Sequence, residues 1–518
     1  MNEIINNNEL ERELHDHFGY TSFQIGQREI INDVMQGKDV LGVLPTGMGK
    51  SMCFQLPAKL LNGTTIVVSP LISLMIDQVK QLKASNFKRV VALNSFLSPK
   101  VRKKVYSLLN QYKLIYVSPE LLQQRELMDY LKQVRVDLLV IDEAHCISQW
   151  GHDFRPDYLR LSEVVAELNN PSVLALSATA TNEIQRDIKQ VLQRPNMVDH
   201  IYPMDRENIV FSVEKLANDM EKNEKISRIF HRICVPTIIY FSSRNATEQF
   251  TAFLLNEHPS LRVAFYHGGM ENVDRISIQQ QFMNDQLDVI CCTSAFGMGI
   301  NKKDIRFIIH YHFPTQLESF IQEVGRAGRD GNESVSLVLY SEHDYFLPAR
   351  LIEHELPQKE ALVYVFQQLY RMYKQSEQIP YKVELIETLF HLNDSQWRFL
   401  HYHLEKHGMI KGNQIIYQKE NWKAAFHSIN SIVYNRIQLK EQKLLQMTSW
   451  VETKSCLREQ LYKGFQSTFK QPLHACCSNC GFNLENWNPI PTVIEQRNQS
   501  WKEKLSALFS TEGAAKVP

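Results

Sequence analysis

Short apolar runs of four or five residues alternate with longer amphipathic stretches over roughly the first two thirds of the chain. Each run is followed by polar or turn-forming residues and then by a segment long enough for a helix. This rhythm is typical of parallel strands joined by crossover helices, and it predicts one α/β domain over residues 1–205 and another over residues 206–350. The predicted strands are Val40–Leu44, Thr65–Ser69, Val90–Leu93, Leu114–Val117, Leu138–Ile141 and Val173–Leu176 in the first domain, and Ile209–Val213, Thr237–Phe241, Val263–Tyr266, Val289–Cys292, Ile305–Ile309 and Val335–Leu339 in the second.

Helical periodicity dominates after Arg350, where a helical and winged-helix-like unit is predicted over residues 351–429. Asn393-Asp394-Ser395 supplies capping residues before its third helix, and Gly412-Asn413 suits the tight turn of a short β-hairpin. Helices followed by such a hairpin resemble a winged helix. The predicted elements are helices Glu360–Lys374, Lys382–Leu392 and Gln396–His407, and hairpin strands Met409–Lys411 and Gln414–Gln418.

The nine cysteines are unevenly distributed along the chain. Five are scattered through apolar segments and are predicted to be core thiols, whereas four cluster near the end. Because the N-terminus lacks the apolar core of a secretion signal, this cluster favours a metal over disulfides. A zinc-binding helical subdomain with a helical hairpin at about 432–463 is predicted over residues 430–482, followed by a tail over residues 483–518. The clustered cysteines are Cys456, Cys476, Cys477 and Cys480.

Composition and charge narrow the class of protein only a little. Apolar residues make up 44% of the chain and charged residues 22%, as in ordinary globular domains. The 57 Lys and Arg residues balance the 57 Asp and Glu residues, so any contact with nucleic acid has to come from local patches. The polar N-terminus and the lack of a run of about 18 apolar residues predict a cytoplasmic protein with no membrane partner.

The segment Leu44–Ser51 combines the features of a phosphate-binding loop. It follows a predicted strand, contains two glycines, and ends in Lys-Ser at the start of a predicted helix. Glycines let backbone N–H groups approach phosphate oxygens, while Lys50 is predicted to contact the β- and γ-phosphates of ATP and Ser51 to bind magnesium. A glycine-rich turn is the alternative, since the strict pattern has a small residue at Leu44. The predicted contacts in this loop are Pro45, Thr46, Gly47, Met48, Gly49, Lys50 and Ser51.

Two carboxylates follow the predicted strand Leu138–Ile141. In a parallel sheet the carboxyl ends of the strands face the ligand crevice. Asp142 is therefore predicted to hold magnesium, and Glu143 to polarise the attacking water. Ahead of the loop, Gln27 can exchange hydrogen bonds with the adenine edge, and Tyr20 can stack on the base.

The segment Gln322–Asp330 contains Arg326 and Arg329, which are three residues apart and share one helix face. Offered across a cleft between two domains, they can neutralise the charge that develops on a γ-phosphate, as an arginine finger does. Neighbouring glycines permit a close approach that a solvated charged face does not require. Because only the first domain carries a phosphate loop, the nucleotide is predicted to lie between the two domains.

The order of these segments resembles that of the superfamily 2 helicases. The phosphate loop is followed by Asp142–His145, then by Ser177–Thr179, and then by the two-arginine segment. Cys146–Pro156 resembles the aromatic-rich loop of the RecQ DNA helicases, and the likeness extends over about residues 14–350. It implies two tandem RecA-like domains in an ATP-driven DNA helicase that moves 3′ to 5′ along one strand and unwinds duplex or forked DNA in repair or recombination. It also implies a nucleoid-associated location, DNA as the partner, and a single-stranded-DNA-binding protein as a candidate protein partner.

In this resemblance the aromatic-rich loop couples DNA binding to ATP hydrolysis. Its aromatic and cationic side chains suit base stacking and phosphate contact. The loop directly follows Asp142 and Glu143, so DNA contact could be transmitted to the hydrolysis site. The residues assigned to this role are Ser148, Trp150, His152, Phe154 and Arg155.

The zinc ligands and the order of the units depart from the family pattern. The family uses one distant and three clustered cysteines, and Cys456, Cys477 and Cys480 match three of them. The fourth ligand is either Cys476, which agrees with the family's thiolates, or His474, which keeps an even spacing; we favour Cys476. The winged-helix-like unit precedes the cysteine cluster instead of following it, so it is interpreted as an insertion.

The role of this insertion stays open at the level of sequence. Its basic side chains include Arg398, Lys406 and Lys411. They either contact the backbone of a DNA duplex or belong to a face that packs on the helicase core or on a protein partner.

Two other functions compete with a DNA helicase. One is an RNA helicase of the related Asp-Glu-Ala-Asp/His groups, against which the aromatic-rich loop and the zinc cluster speak. The other is a DNA-binding scaffold with a decayed ATPase, against which the intact Lys50, Asp142 and Glu143 speak.

Overall fold

Seven parallel strands form the sheet of the first domain in the computed structural model, which describes residues 7–94, 97–148, 155–296, 302–380, 382–466, 469 and 472–489. The strands are β1 (Val40–Val43), β2 (Thr64–Val68), β3 (Val90–Leu93), β4 (Leu114–Val117), β5 (Val136–Ile141), β6 (Ser172–Ser177) and β7 (Val198–Ile201). They lie in the order β3-β4-β2-β5-β6-β1-β7, and every hydrogen-bonded pair is parallel. The six predicted strands are all present, because strands buried on both faces stand out as apolar runs.

Helices cover both faces of this sheet. Successive residues of β4 contribute alternately to two hydrophobic clusters, Leu114 and Tyr116 to one and Ile115 and Val117 to the other, as the two-residue period of a strand requires. The first domain therefore has two apolar layers. Its helices are α1 (Asn7–Phe18), α2 (Gln27–Met35), α3 (Met52–Leu60), α4 (Ile72–Ala84), α5 (Pro99–Tyr106), α6 (Pro119–Leu122), α7 (Arg125–Leu131), α8 (Leu161–Glu167) and α9 (Asn182–Val191).

β7 is not among the predicted strands. It lies at the edge of the sheet and pairs only with β1, with Val198 opposite Val40. Its residues alternate between half-buried and exposed positions, and Asp199 and His200 interrupt the apolar pattern. An edge strand of this kind lacks the continuous apolar run that marks the central strands.

The second domain repeats this plan with six parallel strands. In the sheet they lie in the order β10-β11-β9-β12-β13-β8. Each of them corresponds to one predicted strand. The strands are β8 (Ile209–Lys215), β9 (Thr237–Tyr240), β10 (Val263–Tyr266), β11 (Val289–Cys292), β12 (Phe307–His310) and β13 (Ser334–Tyr340), and the helices are α10 (Asp219–Arg232), α11 (Arg244–Glu257), α12 (Asn272–Met283) and α13 (Leu317–Val324).

The next unit has an apolar cluster of its own, to which its helices and hairpin contribute. Asn393 and Gln396 form a reciprocal capping box at the start of the third predicted helix, which explains why that helix begins there. The hairpin strands pair antiparallel, with Ile410 opposite Ile415. The elements are α14 (Phe346–Glu353), α15 (Lys359–Lys374), α16 (Val383–Phe390), α17 (Asp394–Lys406), β14 (Ile410–Lys411) and β15 (Gln414–Ile415).

A single helix of 33 residues, α18 (Lys419–Val451), follows the hairpin and is succeeded by the short α19 (Leu457–Tyr462). The predicted helical hairpin over residues 432–463 is therefore wrong about where its first helix begins. No glycine or proline interrupts Lys419–Val451, so the helix continues through the predicted boundary at residues 429 and 430. The predicted tail is described only as far as residue 489.

Among the residues that the structure describes, none of the helices combines the length and apolar character that crossing a bilayer requires.

Candidate functional site

The predicted phosphate loop connects β1 to α3. Gly47 and Gly49 have φ angles of +88° and +62°, a backbone conformation that residues with a Cβ seldom adopt. Ser51 immediately precedes α3, so the first N–H groups of that helix lie next to the loop. The structure thus shows why two glycines occur in this loop, and it places Lys50 and Ser51 where a helix N-terminus favours an anion.

The side chain of Gln27 fixes the backbone of this loop by hydrogen bonds. Its buried side-chain Nε2 donates to the backbone oxygens of Met48 and Gly49, at 3.1 and 2.9 Å, and its Oε1 accepts from the N–H of Gln24 at 3.0 Å. Both amide protons are therefore used within the protein, and one lone pair of Oε1 is left for the predicted adenine contact. Tyr20, the predicted stacking residue, is exposed.

The two carboxylates lie at the carboxyl end of β5, as predicted. The N–H of Asp142 donates to the backbone oxygen of Val68 at 2.9 Å, which ties this position to the neighbouring strand β2. Burial, and next the charge of Glu143, raise the pKa of Asp142 to about 7, while Lys50 opposes the shift. Two neighbouring carboxylates offer the oxygen ligands that magnesium prefers.

Glu143 adopts the left-handed conformation, with φ +50°, which costs a non-glycine residue about 1 kcal/mol. This backbone turn directs the chain into the segment that continues to His145. The Nδ1 of His145 lies 3.5 Å from Glu143 Oε2 and forms a hydrogen bond with the hydroxyl of Ser177 at 3.0 Å. Ser177 in turn donates to the backbone oxygen of Thr179 at 2.9 Å. His145 thus joins the ends of β5 and β6, a role that was not predicted for it.

The second domain places its two-arginine segment directly against the phosphate loop. A Cβ built on Gly325 would overlap the hydroxyl of Thr46, and one built on Gly47 would lie 3.0 Å from Cγ of Arg329. The glycines predicted to permit a close approach therefore do so. The nucleotide loop and the arginines, 280 residues apart in sequence, meet across the interdomain cleft.

Arg206 joins the two sides of this cleft and was not predicted. Its Nη1 donates to the backbone oxygens of Thr46 and Gly325 at 3.3 and 3.4 Å, and its Nη2 donates to Gly328 at 2.6 Å. No local pattern distinguishes this arginine, because its partners come from distant parts of the chain. It lies at the boundary between the two predicted α/β domains.

Three guanidinium groups are concentrated beside the phosphate loop. Arg326 is buried and hydrogen-bonds the hydroxyl of Tyr240. Burial lowers the pKa of Arg329 to about 9, and the neighbouring charges of Arg326 and Arg206 add to the shift. Such a concentration of positive charge matches the charge of a polyphosphate.

The predicted DNA-contact segment is described only in part. Trp150, His152 and Phe154 lie outside the described residues, whereas Ser148 and Arg155 lie within them.

Arg155 donates from Nη1 to the backbone oxygen of Pro70 at 3.0 Å. Just beyond it, the hydroxyl of the buried Tyr158 donates to the backbone oxygen of Asp142 at 3.3 Å. Tyr158, which was not predicted, thus connects this segment to the carboxylate position.

The four clustered cysteines converge. The sulfur atoms of Cys456, Cys476, Cys477 and Cys480 all lie within 4.8 Å of one another, and the first two are 3.6 Å apart. Tetrahedral zinc with bonds of about 2.3 Å requires sulfur atoms about 3.8 Å apart, so the set fits zinc. His474 is exposed and is not part of this group, and the geometry therefore favours Cys476 as the fourth ligand.

The cysteine segment also covers the free edge of the second sheet. The N–H of Phe211 in β8 donates to the backbone oxygen of Cys476 at 3.3 Å, and Phe211 pairs with Cys477 in a parallel bridge. Val213 donates to the hydroxyl of Ser478 at 3.4 Å. The cysteine segment thus occupies the position that a seventh strand would take.

A second group of potential ligands, Asp219, His312 and Asp344, already contains a cation. The buried ammonium of Lys222 lies 2.7 and 2.6 Å from the two carboxylate oxygens of Asp344 and also donates to the backbone oxygen of Tyr311. A metal there would have to displace this ion pair, so the group is structural.

Helix α17 packs on the first domain. Arg398 forms an ion pair with Asp394 at 2.9 Å and lies 3.9 Å from Asp157, while Arg160 pairs with Glu405. Of the two interpretations of the basic side chains, packing on the helicase core therefore describes Arg398. Lys406 and Lys411 are exposed.

Comparisons with known proteins identify the family. Residues 24–187 match the profile of DEAD/DEAH box helicases, and residues 196–331 match that of the helicase conserved C-terminal domain. The chain is also 38% identical over 513 residues to the probable ATP-dependent DNA helicase RecS of Bacillus subtilis, covering 97% of this chain and 98% of that protein. The chain belongs to the RecQ family of superfamily 2 ATP-dependent DNA helicases.

Other relatives share mainly the helicase core. The RecQ helicases of Haemophilus influenzae and Bacillus subtilis are each 42% identical, over 347 and 359 residues, which cover 66% and 67% of this chain. The chain matches only 55% and 59% of the length of those proteins, whereas it matches RecS almost throughout. The resemblance found in residues 14–350 is thus confirmed at the level of the family.

Solved structures confirm the fold. The DEAD-box helicase Mss116 bound to ssRNA superposes with a TM-score of 0.58 at 17% identity, covering 89% of this chain and 92% of that chain. Mycobacterium smegmatis Lhr, bound to ssDNA and AMP-PNP, gives a TM-score of 0.56 at 18% identity, covering 81% and 61%. The two parallel-sheet domains are RecA-like, as predicted.

Proposed function

We propose that this protein uses ATP hydrolysis to move 3′ to 5′ along single-stranded DNA and thereby unwinds duplex or forked DNA in repair or recombination. The observation that carries the proposal is the docking of the phosphate loop against the two-arginine segment. Arg206 bridges the two sides by donating to the backbone oxygens of Thr46 and Gly325. A nucleotide bound there contacts both domains, so its hydrolysis changes the forces between them.

The side chains divide the work of phosphoryl transfer. Lys50 contacts the β- and γ-phosphates, Ser51 and Asp142 hold magnesium, and Glu143 orients the attacking water. Magnesium, when bound, neutralises charge on the phosphate oxygens. Arg326 and Arg329 stabilise the charge that develops on the transferred phosphoryl group.

The aromatic-rich loop couples DNA binding to ATP hydrolysis at this site. Trp150 and Phe154 stack on bases, and His152, Ser148 and Arg155 contact the strand. The link from Tyr158 to the backbone of Asp142 gives a physical route from that loop to the magnesium position.

The four cysteines bind one structural zinc, and DNA is the partner on which the protein acts. A nucleoid-associated location and contact with a single-stranded-DNA-binding protein belong to the same proposal.

A hydrolysis assay tests the ATPase. Wild-type protein should hydrolyse ATP, and oligothymidylate should raise the rate. Lys50→Ala should abolish hydrolysis, while Trp150→Ala should lower the ratio of DNA-stimulated to basal rate. An undiminished rate in Lys50→Ala, or full stimulation in Trp150→Ala, would show that these roles are wrong.

An unwinding assay tests direction and substrate. Duplexes with a 3′ single-stranded tail should be opened and those with a 5′ tail should not, and a forked DNA should be opened faster than a matched RNA duplex. Preferential unwinding from the 5′ tail would refute the direction, and preferential unwinding of RNA would refute the substrate.

A further inference from the structure

A second apolar stripe runs along helix α15 beside the one that enters the core. The buried stripe contributes to the apolar cluster of the winged-helix-like unit. The second stripe consists of Val363, Phe366, Tyr370 and Tyr373, which recur at helical spacing. Val363, Tyr370 and Tyr373 are 38%, 39% and 40% exposed. A helix with one buried face needs no such stripe for its own stability.

The hairpin and α18 extend this stripe into a surface of packed rings. The ring of Tyr417 lies 5.0 Å from that of Tyr370 and 5.4 Å from that of Tyr373. Trp422 packs edge-on against Tyr417 at 5.1 Å and is fixed by a hydrogen bond from Nε1 to the backbone oxygen of Ile416 at 2.8 Å. We call Phe366, Tyr370, Tyr373, Tyr417 and Trp422 the aromatic face.

The two segments that build the aromatic face carry more cations than carboxylates, in a chain whose net charge is zero. The two segments that build it, residues 359–382 and 408–423, contain seven Lys and Arg residues and three Glu residues. The ammonium of Lys374 lies 5.5 Å from the centre of the Tyr370 ring. All seven cations of these segments are exposed, and none of them forms an ion pair with another described residue.

Helix α17 provides the contrast within the same unit. Its residues 394–406 carry two cations and two carboxylates. Arg398 is paired with Asp394 and approaches Asp157 of the first domain. Helix α17 is thus balanced in charge and docked through Arg398, whereas Tyr370 and Tyr373 of the aromatic face are exposed beside unpaired cations.

We propose that the aromatic face binds an unpaired DNA strand, with bases stacked on Tyr370 and Tyr373 and phosphates held by Arg371 and Lys374. Aromatic rings accept any unpaired base, and neighbouring cations follow the backbone. Paired bases inside a duplex cannot reach the rings, so the ligand is single-stranded. This inference rests on the proposed helicase function and adds a second strand-binding surface outside the RecA-like core.

Binding of the full-length protein to a fluorescein-labelled oligothymidylate, followed by anisotropy, tests the stacking. Combined Tyr370→Leu and Tyr373→Leu should raise Kd roughly tenfold or more, because both stacking rings are removed. Tyr370→Phe with Tyr373→Phe should restore wild-type affinity, since a ring is retained. Tyr434→Leu is the matched control, because this exposed tyrosine lies about 18 Å further along α18 from Trp422.

Salt dependence tests whether the cations hold phosphates. Arg371→Gln with Lys374→Gln should lower the slope of log K against log salt by about 0.7 for each phosphate that is no longer neutralised. The tyrosine variant should keep the wild-type slope, because it removes no cation. The concentration of oligothymidylate that gives half-maximal ATPase should rise in both variants.

Three outcomes would overturn the inference. The first is an unchanged affinity of the double leucine variant for DNA. The second is an affinity that the double phenylalanine variant fails to restore. The third is a double leucine variant whose sedimentation coefficient differs from that of wild-type protein while its DNA affinity is unchanged. The last would make the face an interface between copies of the chain or with another protein. If wild-type protein itself neither unwinds DNA nor responds to it, the proposed function fails; if wild-type protein does both and the variant binds equally well, only this inference fails.

Discussion

The two RecA-like domains share one strand plan, yet they present opposite charges to the cleft between them. In the first domain, Asp142 and Glu143 follow β5, at the carboxyl edge of the sheet. In the second, Arg326 and Arg329 lie in the turn that follows α13 and not on a helix face as predicted, because the helix ends at Val324. Arg329 lies against the phosphate loop. In the proposed function each domain supplies only part of the site for phosphoryl transfer. Hydrolysis is therefore expected to require the approach of the two domains.

The edges of the two sheets differ as well. The first sheet ends in its own strand β7, which pairs with β1. The second ends in β8, whose outer side is covered by the cysteine segment through Phe211 and Cys477. An uncovered edge exposes unpaired backbone groups and invites association, so the second domain depends on the zinc subdomain for its completion.

The largest effect is expected from removing a zinc ligand. Structural zinc contributes about 10–16 kcal/mol of binding free energy at pH 7, and that energy is lost with the site. Cys477→Ala should therefore release zinc and lower the melting temperature of the second domain, which β8 links to the cluster.

Elemental analysis and calorimetry measure both quantities. Cys234→Ala, which changes an exposed cysteine of the same domain, is the control and should keep zinc and stability. Full zinc content and an unshifted transition in Cys477→Ala would show that the edge does not depend on the metal.

Arg329→Gln should lower the single-turnover rate of ATP hydrolysis at saturating DNA roughly 10³–10⁵-fold. The arginine is expected to act on developing charge, so nucleotide binding should weaken far less than turnover. Arg228→Gln, an exposed arginine of α10, serves as the control. A decrease of less than tenfold in Arg329→Gln would mean that the second domain supplies no catalytic charge.

Gly325→Ala should lower kcat/KM for ATP roughly 10–100-fold, because the added Cβ overlaps the Thr46 hydroxyl and separates the domains. The backbone of Gly325 has φ −62°, which alanine adopts without strain. Adding Thr46→Ala should recover part of the activity, whereas Gly464→Ala has open space around it and should be neutral. Wild-type kinetics in Gly325→Ala would argue against close docking during turnover.

The last effect concerns the acid stability of the second domain. Burial, and next the charge of Lys222, lower the pKa of His312 to about 4, below the ordinary value of 6.5. The unfolded chain then binds a proton that the folded domain refuses, so stability is lost as the pH falls from about 6.5 towards 4. Replacing His312 by Asn keeps an acceptor for the N–H of Ser242 and should remove this dependence, a difference of roughly 3 kcal/mol at pH 4. Parallel pH profiles of the two proteins would contradict the assignment.

Local patterns predicted the elements that are buried from both sides. β4 and β11 have the predicted bounds because each is a short run of apolar residues ended by polar ones. β7 escaped because an edge strand carries exposed polar residues. The start of α18 at Lys419 was not predicted, because the polar residues after the hairpin are as typical of a loop as of a helix.

The candidate site shows the same limit. Lys50 and Asp142 were predicted because each belongs to a motif whose neighbouring residues in sequence indicate its structural environment. Arg206, Tyr158 and His145 were not, since their roles arise from partners on other strands or in the other domain. The choice of Cys476 over His474 likewise required the positions of atoms that spacing along the chain does not determine.

Helix α18 has a mechanical consequence. At 1.5 Å per residue its 33 residues span about 50 Å without interruption, from the aromatic face to the zinc subdomain. Near its far end, Lys443 forms an ion pair with Glu318 of α13 at 2.8 Å, and Trp450 packs against Phe320 of the same helix. Helix α18 therefore connects the aromatic face rigidly to α13, the helix that precedes the arginine segment. We expect tension on a strand bound at the aromatic face to be transmitted through α18 to the segment that carries Arg326 and Arg329.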